Sequence, residues 1–286
     1  DILIRFNKKL GMNVLWQPGT DHAGIATETL VEKKLISDKK KNKNDLGREE
    51  FLKQIWEWKE KSGNKIVDQL QKLGTAVDWS ISKFTLDEEC SNAVKEAFIQ
   101  LFNDGYIYQD ERLVNWDPKL QTAISDLEVN QKEVDGSLWF FKYYIEETDD
   151  FIEVATTRPE TMFGDVAIAV HPKNTTLKSY IGKKAIIPLT ERYVHIIADE
   201  YADPSKGSGA VKITPAHDFN DFLIAKKHNL NFINIFDKQA KLNSSVPNKF
   251  IGMDRYEARK SIIKVLKENG QLTKIENNKM FVPIGE

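Results

Sequence analysis

Apolar and polar positions along the 286-residue chain change their period part way. Before residue 132 the apolar positions recur at helical spacing. Residues 51, 52, 55, 66, 67, 70 and 73 form one stripe, with Trp56 and Trp58 between them, and predict a long helix or two over 47–73. Val94, Ala97, Phe98 and Leu101 repeat the pattern over 87–102, and Asp104-Gly105 supplies the stop. Both stripes are expected to pack into a core. Residues 2–6 form an apolar element broken at Gly11. Residues 13–16 read as a short buried strand stopped by Pro18-Gly19, and 113–116 as a second one stopped by Trp116-Asp117-Pro118. A helix is expected over 24–35, with Thr20 or Asp21 as its cap.

From Leu138 onward, short β-rich runs alternate with turns, at 138–145, 152–156, 166–170, 185–187, 193–198, 210–213 and 232–236. That spacing predicts a closed or strongly curved, barrel-like sheet. A helix over 255–268 ends at Asn269-Gly270. The chain is therefore read as two domains, 1–132 and 133–286: an α/β half with helices, then a mostly β half. In the first, strand, glycine turn and helix follow one another over 13–35. Sites in such units sit at the strand's C-terminal end, where Asp21 and His22 fall. The same two residues also read as a helix cap and a surface histidine.

Composition narrows the class. With 41% hydrophobic and 29% charged residues the chain can bury a core and stay in solution. No apolar run approaches the ~20 residues that span a bilayer, and no leader is visible, so no membrane partner is expected. Cys90 is the only cysteine, which fits a reducing, cytoplasmic compartment. The five histidines show no paired helical spacing, so no metal is assigned. A net charge of −2 does not announce a nucleic-acid binder, and the lysine run Lys39-Lys40-Lys41 reads as a solvated loop.

Two stretches carry candidate chemistry. One is Thr156-Thr157-Arg158-Pro159-Glu160-Thr161, running through Met162-Phe163-Gly164 to Asp165. The other is Gly207-Ser208-Gly209-Ala210-Val211-Lys212-Ile213-Thr214-Pro215-Ala216-His217-Asp218-Phe219-Asn220-Asp221. Lys212 stands between Val211 and Ile213, so it must face solvent or a polar cavity. Asp218 and Asp221 are three apart, on one face of a helix. Both also suit the start of a helix, as cap and first-turn charge. His217 is either a general base or a structural residue near the helix start.

These stretches resemble the editing (CP1) domain of class I aminoacyl-tRNA synthetases, most of all the valine-specific members. Trp16-Gln17-Pro18-Gly19-Thr20-Asp21-His22-Ala23-Gly24-Ile25-Ala26-Thr27-Glu28 resembles that family's catalytic domain. Asn115-Trp116-Asp117-Pro118 through Ser125-Asp126-Leu127-Glu128-Val129 resembles the stretch before its editing insertion. The resemblance implies a partial Rossmann-type catalytic half-domain followed by an editing domain. It implies that Asp21 and His22 belong to a synthetic site, with Asp21 holding an α-amino group. Asp221 would anchor the α-ammonium of a mischarged threonyl group, and Lys212 and Asp218 would recognise its hydroxyl. Thr161 would line the pocket, and Thr156, Thr157 and Arg158 would hold the ester and the terminal adenosine. Hydrolysis would proceed by direct attack of water.

The expected partners are the 3′ end of tRNA(Val), a threonyl or valyl group, and the rest of a synthetase. The family's His-x-Gly-His and Lys-Met-Ser-Lys-Ser signatures are not found. The expectation is thus an internal piece needing no cofactor itself, with ATP and Mg used by the longer enzyme. Other readings stay open: the editing domain of an isoleucyl or leucyl relative, a free-standing deacylase, or a non-catalytic module that binds RNA or a partner.

Overall fold

The computed structural model describes residues 1–22, 24–39 and 41–285, without the side chain of Lys39. Ala23 of the Trp16–Glu28 stretch and Lys40 of the lysine run lie outside the described residues. The chain forms two compact units, Asp1–Asp110 and Glu111–Glu286. Residue 132 falls inside a long continuous strand of the second unit, Val129–Tyr144.

The first unit holds α1 (Ile2–Lys9), β1 (Gly19–Thr20), α2 (Ile25–Lys39), α3 (Lys43–Leu46), α4 (Arg48–Ser62), α5 (Asn64–Lys72), β2 (Lys83–Phe84) and α6 (Glu88–Asn103). Local signals explain the helix boundaries. Asn42 and Asp45 form a reciprocal capping box at α3. α4 opens with Glu49 and Glu50 and closes with Lys59 and Lys61, which suits the helix dipole at both ends. α6 opens with Glu88 and Glu89 and gives way to Gly105 at φ 78°. The core is small: Val31, Leu35 and Phe51, with Leu46, Ile55 and Trp58 against it.

Two expectations fail in this unit. Residues 13–16 form no strand. Their neighbours run beside 78–84, and only β1 and β2 pair, in parallel, through Gly19–Lys83 and Thr20–Phe84. The α6 stripe is not a core element either: no residue of α6 is buried, and Val94, Phe98 and Leu101 are all exposed.

The second unit holds β3 (Asn115–Asp117), β4 (Thr122–Ile124), β5 (Val129–Tyr144), β6 (Phe151–Thr156), β7 (Ala167–Val170), β8 (Lys184–Ile186), β9 (Tyr193–Ala198), β10 (Ala210–Ile213), α7 (Phe219–Lys227), α8 (Arg255–Glu268) and β11 (Leu272–Gly285). β3 and β4 make a hairpin. One sheet has the order β10-β7-β9-β8, with β7 and β9 parallel and the outer pairs antiparallel; another is the antiparallel β11-β5-β6. All four residues of β7 are buried, as their unbroken apolar run Ala-Ile-Ala-Val requires of an inner strand. α8 turns Ala258, Ile262 and Leu266, spaced four apart, into the same core as Phe141, Tyr143, Ile152, Phe163 and Ile168.

The barrel-like expectation is corrected: among the described residues no sheet closes. β8 and β10 end the four-stranded sheet and pair with each other nowhere. The isolated bridge Ile145–Ala185 links that sheet to the three-stranded one. Residues 232–236 supply an isolated bridge at Phe236 instead of a strand. The unpredicted long strand β11 pairs with β5 from Leu272–Phe141 to Gly285–Val129, with one irregularity between Leu272 and Lys274.

Candidate active site in the second unit

The site starts from a lysine in a buried strand. Gly207 and Gly209, at φ 55° and 76°, turn the chain into β10, and a β-carbon on Gly209 would lie 2.9 Å from Asn174 Nδ2. β10 lies against β7 with Lys212 opposite Ile168. Its side chain is only 8% exposed and forms an ion pair with Asp165, which is fully buried, at 3.0 Å. Asp165 directly follows the 3₁₀ turn Pro159–Gly164 and precedes β7.

The Lys212 ammonium has three donors, and all three are used within the protein: on Asp165 Oδ1, on Thr161 Oγ1 at 2.9 Å, and on Thr214 Oγ1. Asp165 in turn accepts the Thr214 hydroxyl at 2.7 Å and the Tyr143 hydroxyl at 2.6 Å. Burial pushes Asp165 upward in pKa, against the pull of Lys212, Thr214 and Tyr143. A polar partner for Lys212 was required by its sequence; that it is Asp165, 47 residues away, was not visible there.

Asp218 and Asp221 differ in role. Asp218 is exposed and caps α7, accepting the amides of Asn220 at 2.8 Å and Asp221 at 3.2 Å. Asp221 is 6% exposed and accepts the Thr214 amide at 2.8 Å. Burial is the main reason its pKa rises to about 6, opposed by the Thr214 amide and the Lys212 charge. Among the described residues Asp221 has no ion-pair partner within 4 Å, because the nearby lysine belongs to Asp165.

The threonine-rich turn is tied down from several sides. Thr156 is buried and its hydroxyl accepts the Arg158 amide at 3.1 Å; Thr161 donates to the Arg158 carbonyl at 2.8 Å. Thr157 sits half-buried at the bend after β6. Arg158 donates to the His217 carbonyl at 2.8 Å, joining this turn to the β10–α7 connection, and burial holds its pKa below the usual arginine value. Glu160, fully buried, takes a two-pronged hydrogen bond from Arg259 of α8 at 2.7 and 2.6 Å. Gly164 is needed for close approach: a β-carbon there would lie 3.0 Å from the Ile233 carbonyl oxygen and 3.1 Å from the Thr214 methyl.

His217 has a structural job. Its Nε2 accepts the Ile235 amide at 3.1 Å, and the ring meets Phe236 edge-on at 4.9 Å. Burial, then Arg158 and Lys212, hold its pKa near 3. A ring whose lone pair is already engaged, and which resists protonation, is a poor general base at neutral pH. The two stretches singled out in the sequence thus meet around Lys212, Thr161 and Arg158. Tyr143, Asp165, Thr214 and Arg259 join them without having been singled out as site residues. One signal was there for Asp165: a charged residue at the head of an otherwise apolar strand.

Asp21 and His22 of the first unit are far more open, with side chains 83% and 53% exposed. Thr85 organises them: its hydroxyl donates to Asp21 Oδ1 at 2.9 Å and accepts the His22 amide at 2.8 Å, with His22 Nδ1 at 2.7 Å. Among the described residues no group of three His, Cys, Asp or Glu side chains could hold a metal ion, and no helix is long and apolar enough to cross a membrane.

The profile of tRNA synthetases class I (I, L, M and V) matches residues 1–282, and the chain belongs to that family. Within it, the chain is similar over all of its length to valine–tRNA ligases. It is 52% identical to that of Pelagibacter ubique and 51% to that of Francisella tularensis, covering 33% and 31% of those proteins. It therefore spans about a third of the length of these curated relatives. In the solved ternary complex of Agrobacterium radiobacter K84 LeuRS with tRNA and LeuAMS, the similar chain superposes with a TM-score of 0.39 at 18% identity. That match covers 98% of this chain and 41% of the other.

Proposed function

We propose that this chain is the part of a valine–tRNA ligase that carries the editing site, and that the site hydrolyses threonyl-tRNA(Val) by attack of water on the aminoacyl ester. The observation that carries the reading is Asp221: a buried carboxylate with a raised pKa and, among the described residues, no ion-pair partner within 4 Å. Such a group is costly to an isolated protein and is matched by a ligand that brings a positive charge. The α-ammonium of an aminoacyl ester is that charge, and it makes a charge-assisted hydrogen bond.

The contacts support the following division of labour. Arg158, Thr156 and Thr157 lie on the turn that would hold the ester and the terminal adenosine. Asp218, at the open start of α7, and Thr161 are the groups for a side-chain hydroxyl. Lys212 acts through Thr161 and Thr214, which it holds. The protein then contributes position and electrostatics rather than a nucleophile of its own. A pocket shaped for valine cannot strongly reject the nearly isosteric threonine, a known difficulty of this very class of enzyme. A second pocket that seeks a hydroxyl reverses the test. The first unit is assigned to the catalytic, Rossmann-type part, with Asp21 and His22 at a synthetic site. Valine activation with ATP and Mg is assigned to the longer, cytoplasmic enzyme.

The test is hydrolysis of threonyl-, valyl- and isoleucyl-tRNA(Val) by this chain. Preferential loss of the threonyl ester supports the reading. Equal, background hydrolysis of all three would leave a domain that binds RNA or a partner without editing.

A further inference from the structure

Lys212 brings three N–H donors to the site, and none remains for a ligand. One goes to the Asp165 carboxylate, and the other two go to hydroxyl oxygens whose own protons are also committed. Thr161 donates its hydroxyl proton to the Arg158 carbonyl, and Thr214 donates its own to Asp165. A hydroxyl oxygen has two lone pairs. Lys212 takes one on each threonine, which leaves each oxygen able to accept but not to donate. Asp165 orients Thr214 directly and reaches Thr161 only through Lys212, while the Arg158 carbonyl takes the Thr161 proton. The Asp165 carboxylate accepts Lys212 and Thr214 on Oδ1 and Tyr143 on Oδ2, so both of its oxygens are engaged within the protein.

We propose that Asp165, aligned by the Tyr143 hydroxyl, is a positioning residue that sets the polarity of the editing pocket. It turns Thr214 into an acceptor directly and, by holding Lys212, keeps Thr161 one as well, so that a side chain able to donate a hydrogen bond is preferred over an isosteric aliphatic one. This deepens the threonyl-editing reading and rests on it. A threonyl hydroxyl donates to an acceptor so presented; a valyl methyl leaves it unpaired, at the cost of an unmet buried polar group. If the carboxylate were lost or turned, Thr214 would be free to rotate its proton outward and Lys212 would have a donor to spare. The pocket would then lose its preference rather than its shape.

The deciding variant is Tyr143→Phe, which keeps the ring and the carboxylate and removes only the donor to Asp165 Oδ2. Asp165→Asn is the stronger variant, but it strands the Lys212 ammonium, and loss of folding there would say nothing about polarity. Two measurements are made on each protein. One is the rate of hydrolysis of threonyl- and valyl-tRNA(Val). The other is calorimetric binding of the non-hydrolysable amides 3′-threonylamino- and 3′-valylamino-3′-deoxyadenosine. The expected result for Tyr143→Phe is a fall of about tenfold in the threonyl-over-valyl ratio, in both rate and binding, with the valyl values little changed. A lower melting temperature with both ratios at wild-type values would overturn the inference and make the network purely structural. Wild-type protein that binds the threonyl amide preferentially but hydrolyses neither ester would sink the editing reading, while the binding ratio of Tyr143→Phe would still decide the role of Asp165.

Discussion

Two carboxylates that the sequence places beside glycine turns end up in opposite surroundings. Asp21, in the first unit, is 83% exposed at its side chain and shares a surface threonine with His22. Asp221, in the second, is 6% exposed and rests on a backbone amide. The difference follows from the cores beneath them. The first unit gathers Val31, Leu35 and Phe51, while Phe98 and Phe102 of α6 stay exposed. The second packs two sheets and α8 around a core that includes Phe141, Tyr143, Phe163, Ile168 and Ile262. Only the second can hold a charge away from water and so make its protonation depend on what binds. An exposed carboxylate is screened and adaptable; a buried, unpaired one is specific.

The largest expected effect that would sharpen this contrast is on stability. Ile168→Ala empties a place in the middle of the second core and is expected to cost about 2–5 kcal/mol. Phe98→Ala, on the open face of α6, is expected to change stability by no more than about 0.5 kcal/mol. Denaturant unfolding of the two variants checks this, and equal losses would break the contrast between the units.

A smaller effect concerns pH. The folded pKa of Asp221 is near 6, above its unfolded value, so between pH 4 and 6 the folded chain holds a proton that the unfolded chain releases. Its contribution to stability is therefore greatest below about pH 4 and is lost as pH rises through 6. Asp221→Asn keeps an acceptor for the Thr214 amide and removes the charge. It is expected to be more stable than wild type at pH 7.5, by up to roughly 3 kcal/mol, with the gap shrinking as pH falls through 6 and closing below about pH 4. Melting curves across that range decide the matter; a gap independent of pH would mean that the carboxylate is not strained by burial.

Much of the second unit was legible. The runs 193–198 and 210–213 are β9 and β10, and 255–268 is α8, because regular alternation or four-residue spacing was written by the core they bury. Lys212 announced a polar partner by standing among apolar neighbours. What could not be read was long-range. Asp165 meets Lys212 only because β7 and β10 pair, and Arg259 meets Glu160 across 99 residues. β11 stayed hidden because its polar stretch Glu276-Asn277-Asn278-Lys279 looks like a loop; it is a strand with one half-open face, held by β5. Residues 13–16 show the opposite failure, an apolar stretch read as a strand where only β1 and β2 find a partner. At His217 the sequence left base and structural residue open, and it could not show that the Ile235 amide lies on Nε2.

Asp221 is proposed to be a binding charge and not a helix-start charge. Hydrolysis of threonyl-tRNA(Val) and melting temperature, measured on one sample of Asp221→Ala at pH 7.5, test it most directly. The expected result is a folded protein whose threonyl-ester hydrolysis is at least about 100-fold slower than wild type, because the ester is no longer held against its water. A first-turn charge would instead contribute about 0.3–1 kcal/mol to the helix. A slightly lowered melting temperature with wild-type hydrolysis would make Asp221 a helix-start charge and remove it from the binding of the ester.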